Sequence, residues 1–408
     1  MIEAILRLTR SRKWIAIIVG AIALLHGWWI LRYGMRWGAD ITRFSEWGDH
    51  LIAHHFNVLE YLRATPFVAP SVLYVAWVTV VAAAKVIAGS NWGMVVVALN
   101  WGAVITIAWL VLDTVRRLTS SAVAVTVAGV LLANFEMLTF VSFPGSDILF
   151  LALVTVVLVL SLRVAERPAA WTVIGGTGVV LLACLFRPAA PPLVVIWIVA
   201  LLWPRLGPSA RRWVVPVIAL LIVVAALLQA AVMQDATRWP FSALREWFRY
   251  LKADYDQGAI ILGRPETWVA PPSTYGDYLA MIFRRWAYFF AILMDDYSRL
   301  HKIANFIYFI PAYGLALAGV VLRPANARRT AATLLFLAVL VTSAFHGLQE
   351  VDYDHRYRLP IFPPLIVLAG LGAAEIVRRT SRDRSTLTSA TSVQPASRNA
   401  ASTSTTAP

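Results

Sequence analysis

The sequence predicts an all-α membrane protein, a polytopic transmembrane helical bundle of about ten spans with additional interfacial helices on the outer face. Of its 408 residues, 59% are hydrophobic and only 14% are charged, whereas a soluble domain carries about a quarter charged residues. Apolar runs recur along the chain at about 17 or more residues, the length that crosses about 30 Å of hydrocarbon. Because lipid offers the backbone no hydrogen-bond partner, such runs must be helical.

The positions of the spans follow from these runs and from the basic residues between them. Cytoplasmic loops of membrane proteins are enriched in Lys and Arg, and the basic clusters of this chain recur at intervals that suit an even number of crossings. We therefore predict ten spans with both termini in the cytoplasm. They lie near residues 14–31, 92–112, 121–141, 146–162, 171–186, 190–204, 213–233, 304–322, 331–347 and 359–377.

Two further apolar stretches do not fit this count. Residues 70–88 and 273–294 are predicted to lie in or dip into the outer leaflet, the second because it carries Arg284 and Arg285. The two longest loops, 32–69 and 234–300, then face the outside, which is where we expect the chemistry. Residues 1–380 form one membrane domain, and the Ser- and Thr-rich segment 381–408 is predicted to be a disordered cytoplasmic tail.

Charge and cysteine content narrow the class of protein. The net charge of +14 is accounted for by cytoplasmic loops, so nucleic acid is not an expected partner. The single cysteine, Cys184, lies in an apolar run, which leaves no intramolecular disulfide and no cysteine metal site. The first span follows basic residues and precedes no small-residue cleavage site, so it is predicted to be a retained signal anchor. A short chain without eukaryotic-type extra domains favours a bacterial plasma (inner) membrane.

An acidic residue stands just after the first span. Asp40 begins a segment with aromatic and apolar residues at helical spacing, which predicts an amphipathic helix. Asp40 is interpreted either as a helix cap or as a general base that takes a proton from an incoming hydroxyl. Glu46 and Asp49 are weaker candidates for the same site, or are simply solvated.

Arginines stand at two other outer turns. Arg356 and Arg358 flank Tyr357 directly before the final span. They break the positive-inside pattern, and guanidinium groups suit phosphate oxygens, so a phosphate-binding role is favoured over an interfacial anchor. Arg187 follows the fifth span and is equally well explained as an anchor or a ligand contact. At another outer turn, Asp147 or Ser146 is interpreted as the cap of the next helix.

A metal site has weaker support. His50 and His54 are four residues apart, so a helix would place both on one face. No third ligand is fixed by spacing, and exposed histidines on an interfacial helix are the commoner case. No metal ligand and no certain cofactor are therefore predicted, although a divalent metal stays open.

Four short motifs occur in an order that resembles the GT-C membrane glycosyltransferases, near the protein O-mannosyltransferases and the bacterial aminoarabinose lipid A transferases. They are Asp40 after the first span, Ser146-Asp147-Ile148-Leu149-Phe150, Leu185-Phe186-Arg187-Pro188 and Arg356-Tyr357-Arg358-Leu359-Pro360. The similarity covers residues 1–380. It implies a hexosyl or mannosyl-type transfer, with inversion, from a polyprenyl-phosphate-linked sugar donor on the outer face.

The resemblance also implies roles for particular residues. Asp40 matches the catalytic acid, and Arg187, Arg356 and Arg358 match the cations that hold the donor phosphate. The chain departs from the pattern where many members have two adjacent acids, because Ile41 follows Asp40. It also lacks a large soluble domain, which leaves the acceptor, whether glycan, lipid or protein, to loop 234–300 and the membrane.

Three alternatives remain. A transporter of lipid-linked glycans would need ionisable residues in mid-membrane or broken helices. An O-antigen polymerase or ligase would use a dominant late outer loop. A non-catalytic scaffold would tolerate a change of Asp40.

Overall fold

The computed structural model describes residues 12–64, 73–234, 251–261, 264–294, 297–322, 326–349 and 356–391. The basic residues before Arg12, residues 235–250 of loop 234–300, His355 and the tail beyond Thr391 lie outside this part of the chain. Within it the protein is helical and contains no β-strand. The helices in order are α1 (Arg12–Tyr33), α2 (Ala39–Ala53), α3 (Val58–Ala64), α4 (Val75–Ala88), α5 (Trp92–Thr119), α6 (Ala122–Leu132), α7 (Phe135–Val141), α8 (Asp147–Glu166), α9 (Ala170–Phe186), α10 (Pro191–Leu202), α11 (Pro208–Gln234), α12 (Tyr275–Phe289), α13 (Arg299–Val321), α14 (Asn326–Leu348) and α15 (Phe362–Thr391).

These helices make the chain a multi-pass membrane protein. In the described residues, seven helical segments are long and apolar enough to cross a bilayer, and an eighth results if the bent pair α6 and α7 is one span. Two shorter apolar helices, α9 and the segment Pro191–Arg205, follow one another around Arg187. Each of the ten predicted spans thus falls on a helix or a helix pair, but length and composition support seven or eight crossings. The seven segments are Arg12–Tyr33, Val75–Thr119, Asp147–Glu166, Pro208–Gln234, Arg299–Val321, Arg328–Leu348 and Arg356–Ser381.

The helix α4 belongs to the stretch that the sequence analysis did not count as a span. Its 14 residues extend about 21 Å, which is less than the hydrocarbon thickness of about 30 Å. A short 3-10 turn that begins at Gly89, with a positive φ of 55°, joins α4 to α5. Trp77 and Val81 of α4 are fully buried, and α4 packs against α2, α5 and α9.

The last helix forms the centre of the bundle. α15 packs most extensively against α13 and also contacts α5, α6 and α14. Gly319 of α13 and Gly372 of α15 lie at this crossing, where an added Cβ at Gly372 would collide with the carbonyl of Leu315, and one at Gly319 with the carbonyl of Leu368. Small residues of this kind let two membrane helices approach closely. The helix continues to Thr391, into the segment predicted to be disordered.

The two ends of the bundle carry different charges. At one end, Arg116 and Arg117 pair with Asp113, and Arg378 and Arg379 pair with Glu375. These residues lie in the last turns of α5 and in α15, where both helices leave the apolar core. The opposite end carries the loops that join α1 to α2, α7 to α8 and α9 to α10, together with the 3-10 turn before α15, and the candidate site lies at this end.

Candidate functional site

A carboxylate and an arginine from opposite ends of the sequence meet at one end of the bundle. Arg356 Nη1 donates a hydrogen bond to Asp40 Oδ2 at 2.5 Å, across 316 positions of the chain. Asp40 lies in the first turn of α2, and Arg356 begins the 3-10 turn Arg356–Ile361 before α15. Both side chains keep about a quarter of their surface exposed, 27% for Asp40 and 25% for Arg356. The pair is therefore accessible from one side.

Asp40 does not cap its helix. Gly38, in an extended conformation, occupies the N-cap position of α2, and Asp40 lies two residues further on. The other carboxylate oxygen of Asp40, Oδ1, accepts a hydrogen bond from Arg43, one helical turn later. The Arg43 guanidinium also lies over the ring of Trp47. Asp40 is consequently held between two guanidinium groups, so the capping interpretation is wrong and the general-base interpretation remains.

The surroundings of Asp40 favour its charged form. Partial burial alone would raise the pKa of the Asp40 carboxyl, but attraction to Arg356, Arg43 and Arg187 and the hydrogen bond from Arg356 outweigh burial and lower that pKa below its ordinary value. The carboxylate is ionised at neutral pH. Arg187 acts on Asp40 from a distance, which places all four side chains in one electrostatic cluster.

Arg187 has a carboxylate partner of its own. It follows the last residue of α9 and forms an ion pair with Asp147, the first residue of α8. Arg187 is 4% exposed and Asp147 is 8% exposed, so this pair is buried. Asp147 therefore neutralises a buried cation, a role that the capping interpretation missed.

Tyr357 connects the two arginines. Its ring centroid lies 5.4 Å from the guanidinium carbon of Arg187 and 5.7 Å from that of Arg356, within the range of cation–π attraction. The ring also stacks on His346 at 4.9 Å, and His346 stacks on Phe289 at 5.6 Å. This column of rings fixes the position of Tyr357 and limits where the two guanidinium groups can move.

Arg358 is directed to a different part of the bundle. It is 1% exposed, forms an ion pair with Glu136 of α7, and donates to the carbonyl of Ala291 at 2.7 Å. Its guanidinium carbon lies 4.2 Å from the ring centroid of Phe309. The structure thus brings together Asp40, Arg187, Arg356 and Tyr357, while Arg358 takes part in a separate buried pair.

The two weaker acidic candidates lie apart from this cluster. Asp49 pairs with Lys85 of α4 at 2.6 Å, and its side chain is 66% exposed. Lys85 also donates to the carbonyl of Ser45 at 2.9 Å, which ties α2 to α4. Glu46 lies on the exposed face of α2.

Tyr74 is a further member of the cluster that the sequence analysis did not identify. It precedes α4, and its hydroxyl is close enough to Asp40, Asp147, Arg187 and Arg356 to interact with all four electrostatically. Burial raises the pKa of the Tyr74 hydroxyl, so the group stays protonated at neutral pH. The only sequence signal was a phenol at the edge of an apolar stretch.

The geometry offers little to a metal ion. Among the residues that the structure describes, no group of three or more His, Cys, Asp or Glu side chains could hold one. The rings of His50 and His54 do lie together, with centroids 4.6 Å apart, and His54 approaches Glu60 at 3.5 Å. The two histidines therefore lie together at the C-terminal end of α2, where His54 follows the last helical residue, without a complete ligand set among the described residues.

In comparisons with known proteins, no family model, no curated protein and no solved structure matches the chain.

Proposed function

We propose that the chain is a membrane glycosyltransferase that moves a sugar from a polyprenyl-phosphate donor to an acceptor hydroxyl. The observation that carries this proposal is the meeting of Asp40, Arg356 and Arg187 at one end of an apolar bundle. Glycosyl transfer from a lipid phosphate needs a base for the hydroxyl and cations for the leaving phosphate. Both kinds of group are present here, at one end of the helices that are long and apolar enough to cross a bilayer.

In the proposed reaction the acceptor oxygen attacks the anomeric carbon from the face opposite the phosphate. The new C–O bond forms as the bond between that carbon and the phosphate oxygen breaks, and the phosphate leaves with the electron pair. Asp40 takes the hydroxyl proton. Arg356, with Arg187 behind it, stabilises the charge that develops on the phosphate. Inversion at the anomeric carbon follows from the single displacement.

The proposed topology has ten spans, both termini in the cytoplasm and the Asp40 cluster on the outer face of the plasma membrane. The bent pair α6 and α7 counts as one span in this arrangement. The helices α9 and α10 count as two, and they return to the same face around Arg187. The arrangement is supported by Arg116, Arg117, Arg378 and Arg379 at the end opposite the cluster, because such residues accumulate on the cytoplasmic side.

The test of the proposed function replaces Asp40 by Asn. Membranes that contain the chain are given polyprenyl-phosphate hexoses labelled in the sugar, together with native membranes as the source of acceptor. We expect the wild type to transfer label and Asp40→Asn to lose about 100-fold or more of the rate, since a general base contributes about 10²–10⁴.

Glu60→Gln is the matched control, because it removes one acid from the neighbouring helix α3 at an exposed position. It should transfer at the wild-type rate. Full activity of Asp40→Asn would contradict the assignment of the base. A chain that translocates label without forming a new glycoside would favour the transporter.

A further inference from the structure

We infer that the Asp40–Arg356 ion pair is a latch, in which the donor phosphate displaces Asp40 from Arg356 and thereby frees the carboxylate to act as base. This inference rests on the proposed function. It adds an order of events, since the base becomes available only after the donor has bound. If water or an acceptor hydroxyl enters the site before the donor does, it finds Asp40 still paired with Arg356.

The described pairing leaves Asp40 poorly suited to accept a proton. Its oxygen Oδ2 is bonded to Arg356 at 2.5 Å, and its oxygen Oδ1 is bonded to Arg43. Each guanidinium lowers the proton affinity of the carboxylate, whereas a general base works best with a pKa near the operating pH. Removing one of the two cations from Asp40 makes it a stronger base. The donor phosphate is the group whose arrival would do so.

Arg187 and Arg356 are the two arginines proposed to stabilise the donor phosphate, and of these Arg356 is the one whose partner can be exchanged. The side chains of Arg187 and Asp147 are 5% and 10% exposed, while those of Arg356 and Asp40 are 25% and 27% exposed. Separating a buried pair leaves an uncompensated buried charge. Separating the partly exposed pair of Arg356 and Asp40 costs less, because water and the incoming phosphate replace the lost partner.

A phosphate is a suitable competitor for Arg356. Guanidinium groups bind phosphate oxygens through two parallel hydrogen bonds, so Arg356 keeps an anionic partner after the exchange, and Asp40 keeps Arg43. Tyr357, held by the ring of His346, supports the Arg356 guanidinium from one side. The arginine therefore changes its partner without having to leave its place.

The latch predicts a result that a simple binding site does not predict. Asp40 competes with the donor for Arg356, so removing the carboxylate should strengthen phosphate binding while it abolishes transfer. An internal competitor reduces the apparent affinity for the ligand in proportion to the fraction of molecules in which the binding site is open. We expect Asp40→Asn to bind a lipid phosphate about tenfold more tightly than the wild type if the latch is closed in about nine molecules of ten.

The experiment measures binding of decaprenyl monophosphate to the purified full chain in nanodiscs of neutral lipid. The variants are Asp40→Asn, Asp40→Ser, Arg356→Gln and the double variant Asp40→Asn with Arg356→Gln, with Glu60→Gln as control. Decaprenol and inorganic phosphate are the matched ligands that separate the contributions of lipid and phosphate. Thermal melting of each variant monitors the fold.

The latch predicts a gain of affinity for both Asp40 variants, a loss for Arg356→Gln, and no gain from Asp40→Asn when Arg356 is already replaced. A gain that persists in the double variant reflects long-range charge alone and overturns the latch. Unchanged or weaker binding by folded Asp40→Asn and Asp40→Ser overturns it as well. A wild type that binds no better to decaprenyl phosphate than to decaprenol contradicts the proposed function itself, and the latch with it.

Discussion

Two arginines only two positions apart have different carboxylate partners. Arg356 pairs with the partly exposed Asp40, and Arg358 pairs with the buried Glu136. Both lie in a 3-10 turn, in which each residue advances by about a third of a turn, so residues two apart point in different directions. One guanidinium therefore reaches the candidate site and the other enters the core.

Arg358 should consequently behave as a structural residue. Arg358→Met leaves Glu136 without its ion-pair partner, and loss of one member of a buried pair costs about 3–5 kcal/mol. We expect a clear drop in thermal stability in detergent, largely recovered when Glu136→Gln is added, because the second change removes the stranded charge. Melting curves of the single and double variants measure this. Arg358→Met that melts normally but loses transfer would instead assign Arg358 to the donor phosphate, as the resemblance implied.

At the residue scale, the sequence named Asp40, Arg187 and Arg356 as candidates but not the residues that they contact. Asp40 and Arg356 were both placed at the outer face by the parity of the spans, which is a count along the chain. Their contact joins positions 316 apart, and no spacing rule reaches that far. Glu136 was not considered because it lies within the apolar run 121–141 that was counted as a span.

The helix α2 shows how an element presents the candidate site. Ile41, Phe44 and Leu51 are buried, and Gly48 lets the backbone of α2 approach Val81 of α4 closely. This apolar face was predicted from residues at helical spacing. It anchors α2 on the bundle so that Asp40, in the first turn, is directed towards Arg356.

The crossing of α13 and α15 is sensitive to side-chain size, because the backbones of the two helices are in close contact there. Gly372→Leu places a large side chain against the carbonyl of Leu315, and an overpacked interface costs about 1–3 kcal/mol or more. Because α15 carries the turn with Arg356, we expect reduced melting temperature together with weakened transfer. Gly20→Leu on α1 is the control, because an added Cβ there meets no atom within 4 Å. Equal melting of the two variants would show that the crossing is not tightly packed.

Helices were predictable from apolar length, and their ends were not. α5 continues to Thr119, past Arg116 and Arg117, because those arginines pair with Asp113 on the same helix. Asn134 interrupts the run 121–141 by accepting hydrogen bonds from the backbone at the start of α7, so a single predicted span became two helices bent by 51°. Local capping and pairing decided these boundaries, and an average over hydropathy does not detect them.

For the whole molecule, the separation of charges predicts its orientation in the membrane. Asp113 and Glu375 bind basic residues at one end, whereas Asp40 and Asp147 bind Arg356 and Arg187 at the other. At the first end, Arg116, Arg117, Arg378 and Arg379 lie close to the ends of apolar helices, and Lys and Arg in such positions mark the cytoplasmic side. We therefore predict that this end faces the cytoplasm.

Single cysteines test this orientation in intact cells. In a chain with Cys184 replaced by Ala, Ile52→Cys lies at the end of α2 and Asn326→Cys lies at the start of α14. An impermeant maleimide should label residue 52 from outside and residue 326 only after the membrane is opened, because ten crossings place these positions on opposite faces. Labelling of residue 326 but not of residue 52 in intact cells would show that the orientation is the reverse of the predicted one. Labelling of both from outside would require an even number of crossings between them and would exclude the ten-span arrangement.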